Sequence, residues 1–360
     1  MAKRAGRDFS SYDESDVKVR PGKGSRPRTK DRPRHADAVV GLVITKDRGR
    51  WGVVLEDGTR VTCMRARELG RTSIEVGDRV RVVGDTSGRK DTLARIVGRE
   101  GRSSELRRTA DDTDPYERIV VANADLLLIV CAVADPPPRT GFVERALIAA
   151  FVGGVTPVVC LTKSDLGDPG AFEQELVDLD VDVLHTGIAD DLGPLLDRIT
   201  GRLTAVIGHS GVGKSTLVNR LVPSANRETG EVSGVGKGRH TSTQSVALEL
   251  PGSGSSSGSS SESGSGSGSD HPGWIIDTPG IRSFGLAHVS PNDVFDPFPE
   301  LAEATENCPR GCTHAGPPAD PECAWDDLAA RDGQDSVIGR RVQAVRHLLE
   351  ALRINETTYD

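Results

Sequence analysis

The sequence predicts a multidomain chain: a small β-barrel, then an α/β domain, then a short helical module tied by metal ligands. Three observations carry that reading. Short β-rich runs broken by glycine turns fill residues 38–97, apolar runs of strand length alternate with a helical period from residue 124 onward, and three cysteines and a histidine crowd into residues 308–323. The chain has 360 residues and is 36% apolar, enough for two or three cores, and no apolar run reaches membrane-spanning length. The start MAKRAGRDFS lacks the apolar centre of a secretory signal. A cytoplasmic monomer without a membrane partner is the expectation.

Residues 1–36 are poor in aliphatics and rich in Lys and Arg, whereas the whole chain carries a formal charge of -8. Such concentrated charge predicts a disordered basic arm, which either contacts RNA phosphates or only solubilises. Residues 37–100 hold five short strands, at 39–45, 51–55, 60–64, 79–83 and 92–97, with Glu56-Asp57-Gly58 as a hairpin turn, and suit an OB-like barrel. Arg48, Arg50, Arg65, Arg67 and Arg71 either line an RNA-binding face or solvate it. Residues 101–290 form the α/β domain: 124–133 reads as a buried parallel strand and 142–151 as a helix. Within it, 251–272 is dominated by Gly and Ser and cannot pack, so it is expected as an enlarged hairpin tip between strands 245–250 and 274–276. Residues 291–360 complete the chain as a zinc-binding helical domain.

Chemistry enters at Gly208-His209-Ser210-Gly211-Val212-Gly213-Lys214-Ser215-Thr216, which follows an apolar run and precedes a helical one. Strand, glycine-rich turn and helix in that order make a phosphate-binding loop. Its glycines let successive N–H groups converge on a phosphate chain while the helix offers its positive end. Lys214 would reach the β- and γ-phosphates and Ser215 would ligate Mg²⁺. The strand at 158–161 runs into Thr162-Lys163-Ser164-Asp165, which resembles the guanine-reading NKxD box. Asp165 can accept from the ring N–H and exocyclic amine of guanine, a donor pair that adenine lacks. Lys163 would lie along the base. Thr162 replaces the usual Asn and keeps only a hydroxyl, so weaker loop bracing or base contact is expected.

Asp277-Thr278-Pro279-Gly280 follows a strand and looks like the DxxG box, in which Asp277 holds Mg²⁺ through water and the Gly280 amide meets the γ-phosphate. Residues 238–243 supply switch hydroxyls that could complete Mg²⁺ coordination, Thr241 being one candidate ligand with the choice between it and Thr243 left open. Ile281 stands where many GTPases place Gln, which predicts slow intrinsic hydrolysis. His240, or less directly His209, is the candidate for orienting water; either can instead only pack.

The guanine-reading box here precedes the phosphate loop, with Leu184-His185-Thr186-Gly187 between them as a second base-contact loop, so the domain is read as circularly permuted. This box order, GHSGVGKST, the GRHT switch and DTPG resemble the small ribosomal subunit biogenesis GTPase RsgA (YjeQ) family over roughly residues 37–350. The resemblance implies an OB-like barrel, a circularly permuted α/β P-loop GTPase domain and a C-terminal helical zinc-binding domain. It further implies binding to the small ribosomal subunit and its rRNA late in maturation, with ribosome-stimulated hydrolysis of GTP.

Cys308, Cys312, His314 and Cys323 supply three thiolates and an imidazole, a set suited to one structural, tetrahedral Zn²⁺. The family's C-x₄-C-x-H-x₅-C spacing differs in both outer gaps, which leaves the loop shape open. Cys63, Cys131 and Cys160 lie in apolar strands and read as buried hydrophobes. An amphipathic helix at 337–352 carries Arg340, Arg341 and Arg346, with Arg353 just beyond it; these pack, bind RNA or both. Two competing readings remain, a GTP-regulated RNA-binding module with incidental catalysis and a permuted GTPase acting on the large subunit. The barrel and the Cys₃His set weigh against the latter.

Overall fold

Strands β1 (Val39–Asp47), β2 (Arg50–Leu55), β3 (Arg60–Arg65), β4 (Arg79–Gly84) and β5 (Ala94–Arg99) lie within a residue or two of the expected runs. They close on themselves: β1 pairs antiparallel with β2 and β4, β2 with β3, β4 with β5, and β3 runs parallel to β5. Alternate residues point inward, so Val43, Trp51, Val53, Val61, Cys63, Val80, Val82 and Ile96 fill the barrel. In this computed structural model the described residues are 35–109, 117–223, 245–251, 273–278, 284, 286 and 288–357. The basic arm up to residue 34, the switch residues 238–243 with His240 and Thr241, Gly280, Ile281 and the Gly/Ser stretch 252–272 lie outside them. The chain divides after Ala36, and the rest of this description concerns the unit that begins at Asp37.

The α/β sheet contains β8 (Leu126–Ala132), β9 (Thr156–Thr162), β10 (Asp182–Thr186), β11 (Leu203–Gly208), β12 (Val246–Glu249) and β13 (Trp274–Asp277), in the spatial order β10-β9-β8-β11-β13-β12. All neighbours are parallel except the pair β12 and β13. Both faces are covered, which is why β8 reads as an unbroken apolar run. Leu127, Ile129 and Cys131 pack toward α1 (Thr140–Val152), whereas Leu126, Leu128 and Val130 pack toward α3 (Gly193–Ile199) and α4 (Lys214–Leu221). A hairpin of β6 (Glu105–Thr109) and β7 (Glu117–Ala122), not anticipated from the sequence, leads from the barrel into this sheet.

The barrel is fastened both to the α/β sheet and to the β6–β7 hairpin. Thr45 of β1 pairs with Val246 of β12, so the two sheets run on as one of eleven strands. At the end of β7 the Ala122 amide donates to the Val76 carbonyl (3.0 Å), and Gly77 sits at φ +93° with a would-be Cβ 1.9 Å from the Ala122 carbonyl. Beside it, fully buried Asp78 takes two 2.8 Å bonds from Arg102, a bidentate pair that satisfies a charge no water reaches.

The C-terminal helices α5 (Pro291–Phe295), α6 (Pro299–Thr305), α7 (Ala324–Asp332) and α8 (Val337–Thr357) continue the same core. Helix α8 lies on α1 and on α2 (Ala171–Asp178). Its basic residues are committed to this packing: Arg340 pairs with Asp178 (3.0 Å), Arg341 with Asp180 (2.6 Å) and Glu300, and Arg346 with Asp326 (3.0 Å), while Arg353 donates to the Thr313 carbonyl. Of the alternatives left open for these arginines, the structure supplies packing. No helix among the described residues is long and apolar enough to cross a membrane.

Candidate functional site

Parallel pairing fixes which loops meet. Thr186 is level with Thr162, Thr162 with Ala132, Gly208 with Val130 and Asp277 with Val206, so the turns after β10, β9, β11 and β13 leave one edge of the sheet. That carboxyl edge is where open α/β sheets bind ligands. The permuted chain order costs nothing here, because β11 lies between β8 and β13 whichever strand the chain visits first.

At the phosphate loop, Gly208 has no room for a side chain, its would-be Cβ falling 2.8 Å from the Val130 carbonyl, while Gly211 and Gly213 sit at φ +87° and +90°. The loop hands over to α4 at Lys214, with Ser210, Gly211, Ser215 and Thr216 exposed around the helix start. The Lys214 ammonium meets a carboxylate oxygen of Asp277, which joins the loop to the end of β13. Thr278 anchors that end by donating to the Val206 carbonyl (2.6 Å). His209 packs edge-on against Phe142 of α1, centroids 4.5 Å apart.

At the expected base-reading turn, Thr162 is buried, and its hydroxyl lies 2.6 Å from the Val212 carbonyl and 3.3 Å from that of Cys131. The bracing that the Asn-to-Thr replacement put in question is therefore supplied by a hydroxyl. Lys163 adopts φ +56° and its ammonium donates to the Asp135 carbonyl. Ser164, Asp165 and Leu166 form one helical turn in which Ser164 is half-buried and Asp165 and Leu166 are exposed. Thr186 is buried with its hydroxyl 3.5 Å from the Cys160 sulfur, and burial pushes that thiol up to about 11. His185 turns to Glu173 (2.8 Å).

Two residues that no motif flagged complete this corner. The Asp190 carboxylate accepts from the Gly187 amide and from the Ser164 hydroxyl (3.3 Å). From the far end of α4, Arg220 donates to the carbonyls of Gly187 (2.9 Å) and Asp190. An isolated acid and an isolated arginine leave no periodic or motif signal in a sequence.

Cys308, Cys312, His314 and Cys323 converge, their ligand atoms all within 4.8 Å of one another. Nδ1 of His314 lies 3.6 Å from the sulfurs of Cys308 and Cys312 and 3.8 Å from that of Cys323. Bonds of about 2.3 Å to sulfur and about 2.05 Å to nitrogen at a tetrahedral angle put N and S about 3.6 Å apart, so these four atoms fit Zn²⁺. The altered spacing thus preserves the shell. Burial, then the nearby sulfurs of Cys323 and Cys308, pushes Cys312 up to about 12 against a backbone N–H bond at His314, and a divalent cation would offset that cost. The His314 ring stacks on buried Trp325 (4.6 Å), and Arg346 donates to its carbonyl (3.0 Å), which fixes the ring and the loop.

Comparison with known proteins agrees with this geometry. A family model described as RsgA GTPase matches residues 99–256. The small ribosomal subunit biogenesis GTPase RsgA of Gemmatimonas aurantiaca is 33% identical over 299 residues, covering 80% of this chain and 90% of that protein. The protein of the same name from Bacteroides fragilis is 32% identical, with 79% and 88% covered. Among solved structures, the circularly permuted GTPase YloQ superposes with a TM-score of 0.60 at 20% identity, over 90% of this chain and 98% of that one. YjeQ from Thermotoga maritima gives 0.56 at 22%, over 87% and 99%. At those identities the structural likeness speaks for the fold.

Proposed function

The chain belongs to the RsgA GTPase family and is a GTP-hydrolysing enzyme that uses Mg²⁺, and on that premise we propose that it acts in maturation of the small ribosomal subunit. The observation that carries the reading is the meeting of Thr162-Lys163-Ser164-Asp165 with the phosphate loop on one sheet edge, tied by the bond between Thr162 and the Val212 carbonyl.

In this reading Asp165 selects guanine, Lys163 flanks the base and the Thr186 loop closes over it. The amides of residues 208–216 and the Lys214 ammonium hold the phosphates. Lys214 would exchange Asp277 for phosphate oxygens, freeing that carboxylate. Ser215, Asp277 and Thr241 would hold Mg²⁺, which when bound offsets charge on the β- and γ-phosphate oxygens. Gly280 would donate to the γ-phosphate and His240 would orient water. Cys308, Cys312, His314 and Cys323 would hold one structural Zn²⁺, since four protein ligands leave no position for water.

We assign rRNA contact to the basic arm 1–36 and to barrel arginines on 37–100, with 101–290 as the GTPase domain and 291–360 as the zinc-binding domain. A cytoplasmic monomer stimulated by the small subunit completes the proposal. It is tested by GTP turnover with and without purified small subunits, with Asp165→Ala as the control for base reading. Turnover that small subunits leave unchanged, or that large subunits raise equally, overturns it.

A further inference from the structure

We propose that Arg220 and Asp190 are positioning residues for guanine recognition: they lock the 187–190 loop to the Asp165 turn on one side and to the phosphate-binding helix on the other. This rests on the reading of Asp165 as the base-selecting carboxylate. Three observations combine. Arg220 sits on α4, the helix whose first residue is Lys214, and spends both terminal nitrogens on the carbonyls of Gly187 and Asp190. Asp190 folds back so that its carboxylate accepts the Gly187 amide and, from the neighbouring loop, the Ser164 hydroxyl. Gly187 is buried, and its would-be Cβ lies 3.1 Å from the Asp190 carboxylate, so the turn is packed to the limit of a glycine.

The result is a set of cross-links among the three loops a guanine nucleotide would span. A guanidinium suits the task because its planar fork reaches two carbonyls at once, whereas an ammonium holds them only as a point charge. Held this way, the distance from the base-reading turn to the phosphate loop is set before the ligand arrives, and binding spends less on ordering the loops.

Titration of the full-length protein with GDP and, separately, with inorganic pyrophosphate tests the proposal. Pyrophosphate engages the phosphate loop alone and reports whether α4 and its loop are intact. Removing charge-assisted bonds in Arg220→Ala or Asp190→Ala should weaken GDP about tenfold while leaving pyrophosphate unchanged. Arg220→Lys should recover part of the loss, and the double variant should lose little more than either single one, because both act through one loop. Equal losses for GDP and pyrophosphate would mean that Arg220 merely supports the helix, and unchanged GDP binding would mean that the loop needs no lock; either result overturns the proposal. Asp165→Ala separates the two levels. If it weakens GDP while Arg220→Ala does not, only the positioning role fails; if Asp165→Ala itself binds GDP normally, the guanine-box reading fails with it.

Discussion

Thr162→Val isolates the bond that joins the two halves of the nucleotide site. Valine keeps the branched shape and replaces the hydroxyl with a methyl, so the buried 2.6 Å bond to the Val212 carbonyl and the 3.3 Å contact to Cys131 both go. A buried acceptor left without its donor costs about 1–3 kcal/mol, and a middle value of about 2 kcal/mol corresponds to about thirtyfold in an equilibrium constant. Whether that appears as stability or as affinity depends on the free protein. If the phosphate loop stays in place without nucleotide, free and bound states lose equally and GDP affinity is unchanged; if it relaxes, affinity absorbs the loss. Denaturant unfolding in saturating GDP reads the sum in either case, and a GDP titration reads the second share. Thr162→Ser, which keeps the hydroxyl, should lie near wild type. If Thr162→Val unfolds at the wild-type midpoint in saturating GDP, the bond is not what braces the loop.

Three further outcomes follow from the same geometry. Removing zinc with a chelator, or replacing Cys312 with Ser, should cut zinc content from about one per chain to none and loosen the packing around Trp325, read by elemental analysis and near-ultraviolet circular dichroism. Retained zinc in the Ser variant would place the metal elsewhere. Gly77→Ala should destabilise by at least about 2 kcal/mol, because a Cβ would overlap the Ala122 carbonyl at an unfavourable φ; a thermal midpoint equal to wild type would show that the contact yields freely. Burial raises the Glu300 carboxyl, yet the Arg341 bond and charge outweigh it and hold the group below its ordinary 4.5. A depressed folded value gives stability that is complete above about pH 4.5 and lost as pH falls through the folded value. Glu300→Gln should therefore melt lower at pH 7 and show a flatter acid limb as the pH falls below about 4.5. Parallel limbs would exclude the pair as a source of acid sensitivity.

What the sequence made legible is what has a local period or a fixed spacing. The five barrel strands alternate inward and outward, β8 is apolar throughout because both its faces are covered, and the Cys₃His ligands fall within sixteen residues of chain. The phosphate loop is recognisable because glycines, Lys214 and Ser215 must follow one another to wrap a phosphate chain. Pairings made only in space stayed hidden. Arg220 meets Gly187 across thirty-three residues, and Thr45 meets Val246 across some two hundred, through a single bridge that no pattern announces.

That single bridge changes what the barrel is to the nucleotide site. Val246 pairs with Thr45 on one side and with Asp277 on the other, and Asp277 is level with Val206 of the phosphate-loop strand. One row of residues therefore crosses from barrel to catalytic sheet, with the candidate Mg²⁺ carboxylate in its middle. Arg60 of β3 reinforces the same strand by pairing with Glu249 (3.2 Å). The α/β sheet is entered at β8 and left after β13, the two strands on either side of the phosphate-loop strand β11, so the barrel is spliced in ahead of β8 and reaches across to the edge strand β12. The barrel thus holds the sheet at its β12 edge, the guanine box follows β9 toward the other edge, and the loop that holds phosphate lies between them.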